Sequence, residues 1–227
     1  MLKEAGDPVM LIALAPRAKV EILGNWDVLG LRGTGSYDFN VSEQIIHEDF
    51  AFDVSSPEPK RGGALYGMGF LAIPLLCHAS FGLGCTARVL DEWAKHARGK
   101  RRLKGGSIAE SEIFQRDLGI AHARLRAAEA YIRDSFTQLF NGAGQGHIAD
   151  SLKLDARLGT SNIIALEAQI AQQAFTSSAT AGQRNGSRMQ RCFRDLQAAN
   201  AHFLTGEQSF IGAGRYLAGI PDAHPGL

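Results

Sequence analysis

A glycine-rich turn near the start of the chain carries the first side chains that could do chemistry. Residues 26–36 read W-D-V-L-G-L-R-G-T-G-S, so glycines are interspersed with polar residues. Glycine allows backbone turns that other residues avoid, and Arg32, Thr34 and Ser36 place one cation and two hydroxyl groups on that loop. A β-turn with polar side chains and no ligand is the alternative interpretation.

A second group lies in a predicted helix close to residue 200. Arg191, Asp195 and His202 follow helical spacing and fall on one stripe, which borders the apolar stripe of the same helix. A polar stripe at the edge of a core can hold a desolvated acid and base. Because an imidazole titrates near neutral pH, His202 could serve as a general base. The alternative is a salt-bridged helix whose histidine is half-buried.

The elements that must position these groups begin with strands. Residues 1–55 predict a partial β-domain of three or four strands, because short apolar runs alternate with turn residues. The predicted strands are Val9–Leu14, Val20–Leu23, Val28–Leu31 and Tyr37–Val41. Residues 56–63 are rich in serine, proline and glycine and indicate a linker.

Helical periodicity then runs through residues 64–205, and residues 206–227 remain as a C-terminal tail. The predicted helices are Ala64–His96, Ser107–Gly144, Ile148–Thr180 and Arg188–Leu204. Long helices joined by short loops form an up-down-up-down bundle. The sequence therefore predicts a mainly α fold: a partial β-domain followed by a four-helix bundle.

Composition and charge exclude several classes of function. The net charge of +1 gives no general attraction to nucleic acid or to an anionic membrane surface. The three cysteines lack metal-type spacing, so we expect no metal site. No signal peptide is recognisable, and the first apolar run is too short to span a bilayer. We expect a cytoplasmic protein that binds neither nucleic acid nor membrane.

In their order and separation, the two groups resemble a known superfamily. The turn W-D-x-x-G-L-R-G-T-G-S, a long helical region and then R-C-F-R-D-x-x-A-A-x-x-H are similar to the acyl-CoA dehydrogenase superfamily, over about Val9 to Gly214. The helices then resemble the C-terminal bundle of that superfamily. The branch that the sequence resembles most is the flavin-dependent, two-component (group D) monooxygenases.

This resemblance implies a flavin cofactor, FMN or FAD, and assigns residues to it. The turn matches a cofactor-binding segment, and residues 97–128 resemble the stretch whose arginine approaches a flavin phosphate across a subunit interface. The cofactor-binding residues implied are Arg32, Thr34, Ser36, Arg98, Arg101 and Gln115. His202 becomes the catalytic residue, and Arg191 with Asp195 becomes its supporting polar stripe.

Chemistry favours the oxygenase branch over the dehydrogenases. Dehydrogenases of the superfamily commonly carry a glutamate base just after the last helix, whereas here the stretch has His202 and no carboxylate until Glu207. The resemblance thus implies an oxygenase component that hydroxylates an aromatic small molecule with reduced flavin from a separate reductase, His202 deprotonating a phenol. An acyl-CoA dehydrogenase and a non-catalytic oligomerising remnant remain as alternatives.

The same resemblance implies an assembly and an incomplete chain. Superfamily members form homo-oligomers, so we expect a tetramer or a dimer. The chain begins partway into the β-domain of the family, without the N-terminal helices that help to wall the substrate pocket. We therefore expect a fragment or a truncated gene product, whose activity is in question because part of the pocket is missing.

Overall fold

Four short strands precede seven α-helices in the described part of the chain, residues 11–54, 59, 61–103 and 105–220 of a computed structural model. The strands are Leu11–Ala13 (β1), Val20–Ile22 (β2), Phe39–Val41 (β3) and Ala51–Asp53 (β4). The helices are Ala64–Gly67 (α1), Ala72–Gly99 (α2), Glu112–Gly144 (α3), Asp150–Ser177 (α4), Ala179–Gln183 (α5), Arg188–Asn200 (α6) and Glu207–Leu217 (α7). Val9, half of the predicted linker 56–63 and residues 221–227 lie outside the described residues.

The core lies between α2, α3, α4 and α6. Apolar residues recur every three or four positions on each long helix and are buried along one stripe, as Leu125, Ala128 and Ile132 are on α3. Helix α2 packs most extensively on α4, where its Ala79 and Gly82 leave room for close approach. The predicted mainly α fold with a four-helix bundle is confirmed.

The first predicted helix, Ala64–His96, is two helices rather than one. Helix α1 ends at Gly67 and α2 begins at Ala72. Between them Gly69 has φ of 94°, a left-handed conformation that a continuous helix cannot accommodate. The prediction of a single helix was wrong because an Ala- and Leu-rich sequence hides this break.

Two further helix boundaries differ from the prediction. Helix α3 begins at Glu112 rather than at Ser107, because Ser107 donates a hydrogen bond to the Glu110 side chain (3.2 Å) instead of capping the long helix. Helix α4 ends at Ser177, before its predicted end. The following Ala179 has φ of 49°, which interrupts the helix before α5.

The last predicted helix, Arg188–Leu204, ends at Asn200, and a single 3-10 turn, Phe203–Thr205, follows it. Helical spacing through residue 204 would place Phe203 in the apolar stripe of this helix, whereas the side chain is 79% exposed. The segment assigned to a tail contains α7, which packs on α4. A hydrogen bond from Arg157 Nε to Ser209 Oγ (3.2 Å) helps to hold α7 in place.

The strands form two small antiparallel sheets, β1 with β4 and β2 with β3. The predicted strand Val28–Leu31 is wrong: Leu31 has φ of 52°, so this segment is a turn. Strand β4 was not predicted. Apolar side chains remain exposed on all four strands, among them Leu11, Ile22, Phe39 and Phe52. Sheets this small bury little surface alone, so they present apolar area that a further protein surface could cover.

Helix α2 is also long and apolar enough to cross a membrane, judged by length and composition alone. Core helices of helical bundles have the same features. Here α2 packs against α3, α4 and α6, and its buried residues are Ala72, Leu75, Ala79, Gly82, Thr86, Val89, Leu90, Trp93 and Ala97. This packing buries 33% of its most apolar 18-residue window, so it accounts for part of the apolar character of α2.

Candidate functional site

The glycine-rich turn packs directly on α6. Gly30 is buried, and a β-carbon added there would collide with the carbonyl oxygen of Arg194. The Leu31 N–H donates to Asp195 Oδ1 at 2.7 Å, and Arg194 Nη1 donates to the carbonyl oxygen of Leu29 at 2.9 Å. The structure therefore brings together the two segments that the sequence singled out, through backbone groups of the turn.

The three polar side chains of the turn are exposed and bond within the turn itself. Arg32 pairs with Asp27 at 3.3 Å, and Thr34 Oγ1 donates to the Leu31 carbonyl at 2.8 Å. Ser36 Oγ lies 3.5 Å from Thr34 Oγ1. These contacts stabilise the turn, and none of them joins it to His202.

His202 does not lie on the α6 stripe with Arg191 and Asp195, as the sequence predicted. The helix has already ended, and His202 has an extended backbone with φ of −73° and ψ of 133°. Its Nδ1 accepts a hydrogen bond from the Leu204 N–H at 3.3 Å, a local bond that competes with continued helix. The stripe prediction failed because it assumed helical geometry through residue 204.

The His202 ring packs against a second imidazole. Its centroid lies 4.4 Å from that of His78 on α2, with the planes at 46°, and 4.9 Å from that of Phe203. Burial lowers the pKa of His202, and burial followed by the charge of His202 lowers the pKa of His78. Both half-buried rings therefore favour the neutral state. Local sequence around His78 gave no signal of this pairing.

The predicted supporting residues act elsewhere on α6. Asp195 holds the turn through Leu31, and Arg191 is exposed. Next to Arg191 lies buried Cys192, whose backbone carbonyl oxygen accepts a hydrogen bond from the Cys85 thiol at 3.9 Å. This bond connects α2 to α6. The polar stripe therefore has a packing role, and no described contact connects it to His202.

A basic cavity of about 550 Å³ lies at the C-terminal end of α2. Lys95, Lys100 and Arg101 line it together with one carboxylate, Glu92. His96 lines it too, and its Nε2 is buried and without a hydrogen-bond partner in the described chain. Burial and then the charge of Lys100 lower the pKa of His96. The cavity is also lined from α5, the residue before it and the start of α6, by Ser178, Ala181, Gly182, Ser187 and Met189.

Of the three residues predicted near a flavin phosphate, only Arg101 lines this cavity. Arg98 is exposed, and the Gln115 amide donates to the Ala109 carbonyl at 3.0 Å. Sequence reasoning found the basic cluster but missed Lys95 and His96. Their spacing on α2, one turn or so before Lys100, was the available signal.

The basic cavity and the histidine pair lie at opposite ends of α2. From His78 to Arg98 the helix rises about 30 Å. A single chain therefore does not bring Arg98 or Arg101 together with His202. One cofactor could reach both regions only if they came from different chains.

A buried carboxyl group in the bundle was also missed. Glu167 on α4 is 0% exposed, and neither carboxyl oxygen has a hydrogen-bond partner among the described residues. Burial raises its pKa to about 9, so it is a neutral acid near pH 7. It lies against Gly82 of α2, where an added β-carbon would be 2.8 Å from Glu167 Cδ.

The bundle and its motifs define the class of protein. A family model described as "Acyl-CoA dehydrogenase, C-terminal domain" matches residues 76–207, more than half of the chain. The chain belongs to this family. The resemblance that the two sequence motifs predicted is thereby confirmed.

Individual relatives indicate which branch of the family this chain resembles. Indole-3-acetate monooxygenase of Pseudomonas putida is 28% identical over 92% of this chain and 54% of its own length. The FADH(2)-dependent resorcinol hydroxylase, oxygenase component, of a Rhizobium species is 27% identical over 87% of this chain and 53% of its own. The crystal structure of 3-HSA hydroxylase from Rhodococcus sp. RHA1 matches 100% of this chain and 60% of its own, with a TM-score of 0.86 and 21% identity.

These relatives are monooxygenases and hydroxylases, and the resorcinol enzyme is flavin-dependent by name. They confirm the similarity to the flavin-dependent monooxygenase branch, and the crystal structure confirms the fold. The chain spans about half the length of the curated relatives that it matches.

Proposed function

We propose that this chain is the bundle-bearing part of an oxygenase component that hydroxylates an aromatic small molecule with reduced flavin. Its relatives include a monooxygenase of an indole acid and a resorcinol hydroxylase. The observation that carries the proposal is His202, a half-buried imidazole just after the last core helix, where burial keeps it neutral.

The neutral ring has a defined tautomer. Because Nδ1 accepts the Leu204 N–H, the ring proton lies on Nε2, which can donate a hydrogen bond to a substrate oxygen. As the general base, His202 would take the substrate proton at Nδ1, the ring nitrogen that carries the lone pair in this tautomer, so the Leu204 N–H would have to release Nδ1 first. Both nitrogens would then be donors. The bond from Leu204 is lost in that state, which opposes protonation and favours returning the proton.

An acyl-CoA dehydrogenase is less well supported. Abstraction of the α-proton of an acyl thioester requires a carboxylate base in the site. Asp195 is committed to the Leu31 N–H, and Glu207 is exposed at the first turn of α7. Neither carboxylate occupies the position just after α6 that His202 occupies. Reduction of flavin by an acyl-CoA without oxygen would revive this alternative.

The donor set of the basic cavity fits the anionic part of FMN or FAD. Lys95, Lys100 and Arg101 supply positive charge that exceeds the charge of the one lining carboxylate, Glu92, which pairs with Arg88 at 3.7 Å. His96 supplies a buried nitrogen that lacks a partner in the described chain. When bound, reduced flavin would supply the electrons that activate dioxygen. The chain's own contribution there is to bind and orient the phosphate.

We further propose a cytoplasmic homo-oligomer that receives its flavin from a separate reductase. Because α2 separates the basic cavity from His202 by about 30 Å, one flavin would contact both only across two chains. The exposed apolar strands give a second reason for association.

The test is flavin binding followed by turnover. Reduced FMN and FAD are titrated into the purified chain by tryptophan fluorescence, and a phenol or an indole acid is then supplied with dioxygen. His202→Ala should retain flavin affinity and lose product. Arg101→Ala should weaken flavin binding about tenfold, as expected for a lost charge-assisted phosphate contact.

Arg124, exposed on α3, provides the matched control for charge. Arg124→Ala removes one positive charge without touching the cavity, so flavin affinity should not change. Equal weakening by Arg124→Ala would mean that general charge, and not the cavity, attracts the flavin. Absence of both binding and product in the wild-type chain would refute the proposed function.

A further inference from the structure

His78 is the part of the His202 environment to which neither the motifs nor the relatives' names give a role. It lies near the start of α2, far in sequence from His202, and the two rings touch with centroids 4.4 Å apart. The 46° tilt and half-burial of both rings mean that each limits where the other can turn.

Two contacts would be needed to fix an imidazole that must present one nitrogen to a substrate. The Leu204 N–H holds Nδ1 at 3.3 Å, which is a long bond for a single anchor. His78 supplies packing against the ring face. Phe203 is a weaker support because it is 79% exposed and follows His202 directly in the chain.

We propose that His78 is a positioning residue for His202: by packing on the ring it keeps Nδ1 against the Leu204 N–H, which maintains the Nε2–H tautomer, and a proton on either ring disfavours a proton on the other. The catalytic meaning of this role rests on the proposed function. The ring pair itself is a property of the free chain.

Electrostatics disfavour a second proton on the pair. Two imidazolium charges about 4.4 Å apart repel each other by roughly 1 to 4 kcal/mol between a water-like and a protein-surface dielectric, so protonation of one ring lowers the proton affinity of the other. Apart from burial, the charge of His202 is what shifts the pKa of His78, and burial is what shifts that of His202. A neutral neighbour leaves His202 free to take and return a proton.

Histidine NMR on the full-length chain without flavin tests the pair. Ring ¹⁵N shifts should show a single Nε2–H tautomer for His202 in the wild type. His78→Ala should produce a mixture of tautomers, and His78→Phe, which keeps an aromatic ring in contact, should restore the single tautomer. His202→Gln should raise the pKa of His78 by about one pH unit.

His122, exposed on α3, is the control, and His122→Gln should change neither reading. The proposal is overturned if His202 keeps one tautomer in His78→Ala and the pKa of His78 does not respond to His202→Gln. If His78→Ala fails to fold, the proposal is judged from His202→Gln alone, and it is overturned if the pKa of His78 does not rise in that variant.

Turnover separates this proposal from the proposed function. With flavin and dioxygen, His78→Phe should keep more of the hydroxylation rate than His78→Ala, at unchanged flavin affinity. If the pKa of His78 responds to His202→Gln but the chain makes no product, the positioning role of His78 is supported and the proposed function is not. If the two rings titrate independently but hydroxylation is lost in His202→Ala, the proposed function is supported and the role of His78 is not.

Discussion

The backbone N–H of Leu31 donates to the carboxylate of Asp195 at 2.7 Å, joining residues 164 positions apart. This bond and the close approach of Gly30 to Arg194 attach the β-rich segment to the bundle. Both contacts use backbone groups of the turn. The turn therefore depends on its shape, which Gly30 provides because it has no side chain, and on one carboxylate.

The first prediction concerns Gly30. Gly30→Ala places a β-carbon against the Arg194 carbonyl, so the turn must lift off α6 or the backbone must shift. We expect the free energy of unfolding to fall by about 1–3 kcal/mol, the usual cost of overpacking. Urea denaturation measures the loss, and faster amide exchange at Leu31 would show that the turn has detached.

Gly33 lies in the same loop and is its matched control. A β-carbon at Gly33 would meet no atom within 4 Å. Gly33→Ala should therefore change stability by no more than a few tenths of a kcal/mol. Equal losses in the two variants would mean that the Gly30 contact does not hold the turn.

Sequence periodicity was sufficient to predict the cores of the long helices. Helical spacing places Ile163, Ile170 and Ala174 of α4 on one inward face, and all three are buried. Such a stripe is repeated over many turns, so small local preferences cannot override it. Helix ends are harder to predict, because they depend on single local bonds. After α6 ends, for example, His202 has an extended backbone and its side chain accepts a hydrogen bond from the Leu204 N–H.

The site could be predicted in part. The turn and α6 were both singled out, and they do pack together through Gly30 and Asp195. The contact of His78 with His202 joins distant parts of the chain, and no local pattern marks such a pair. Glu167 was missed for another reason: helical spacing predicts which face is buried, and a lone acid on that face contradicts the apolar rule.

The second prediction is a coupling between Gly82 and Glu167. In the wild type, Gly82→Ala forces a β-carbon against the buried carboxyl group, so it should destabilise the fold. In a Glu167→Ala background that space is empty, and the same change should become neutral or stabilising by up to about 1 kcal/mol through helix propensity. Denaturation of the four proteins gives the coupling energy.

Gly84 lies on the same helix, where a β-carbon would meet no atom within 4 Å. Gly84→Ala should stabilise the chain by about 0.5–1 kcal/mol in both backgrounds, because only propensity changes. A Gly82→Ala effect that is the same with and without Glu167 would contradict the contact.

The third prediction is that Glu167 makes stability fall as pH rises. Its pKa is raised from 4.5 to about 9 in the fold. Between those values the unfolded chain releases the proton while the folded chain keeps it, so the free energy of unfolding decreases with pH by at most about 1.4 kcal/mol per unit. Below pH 4.5 both states are protonated and the loss disappears.

Glu167→Gln should remove this dependence while keeping the shape of the side chain. Measured against the wild type by urea denaturation at pH 5, 7 and 9, the variant should gain relative stability at each step. Glu112→Gln, at the exposed first turn of α3, is the control and should run parallel to the wild type. If the free energy of unfolding of the wild type instead stays parallel to that of Glu167→Gln across this pH range, the prediction is wrong. The carboxyl group would then ionise inside the fold, with water or a neighbouring group offsetting the desolvation cost of burial.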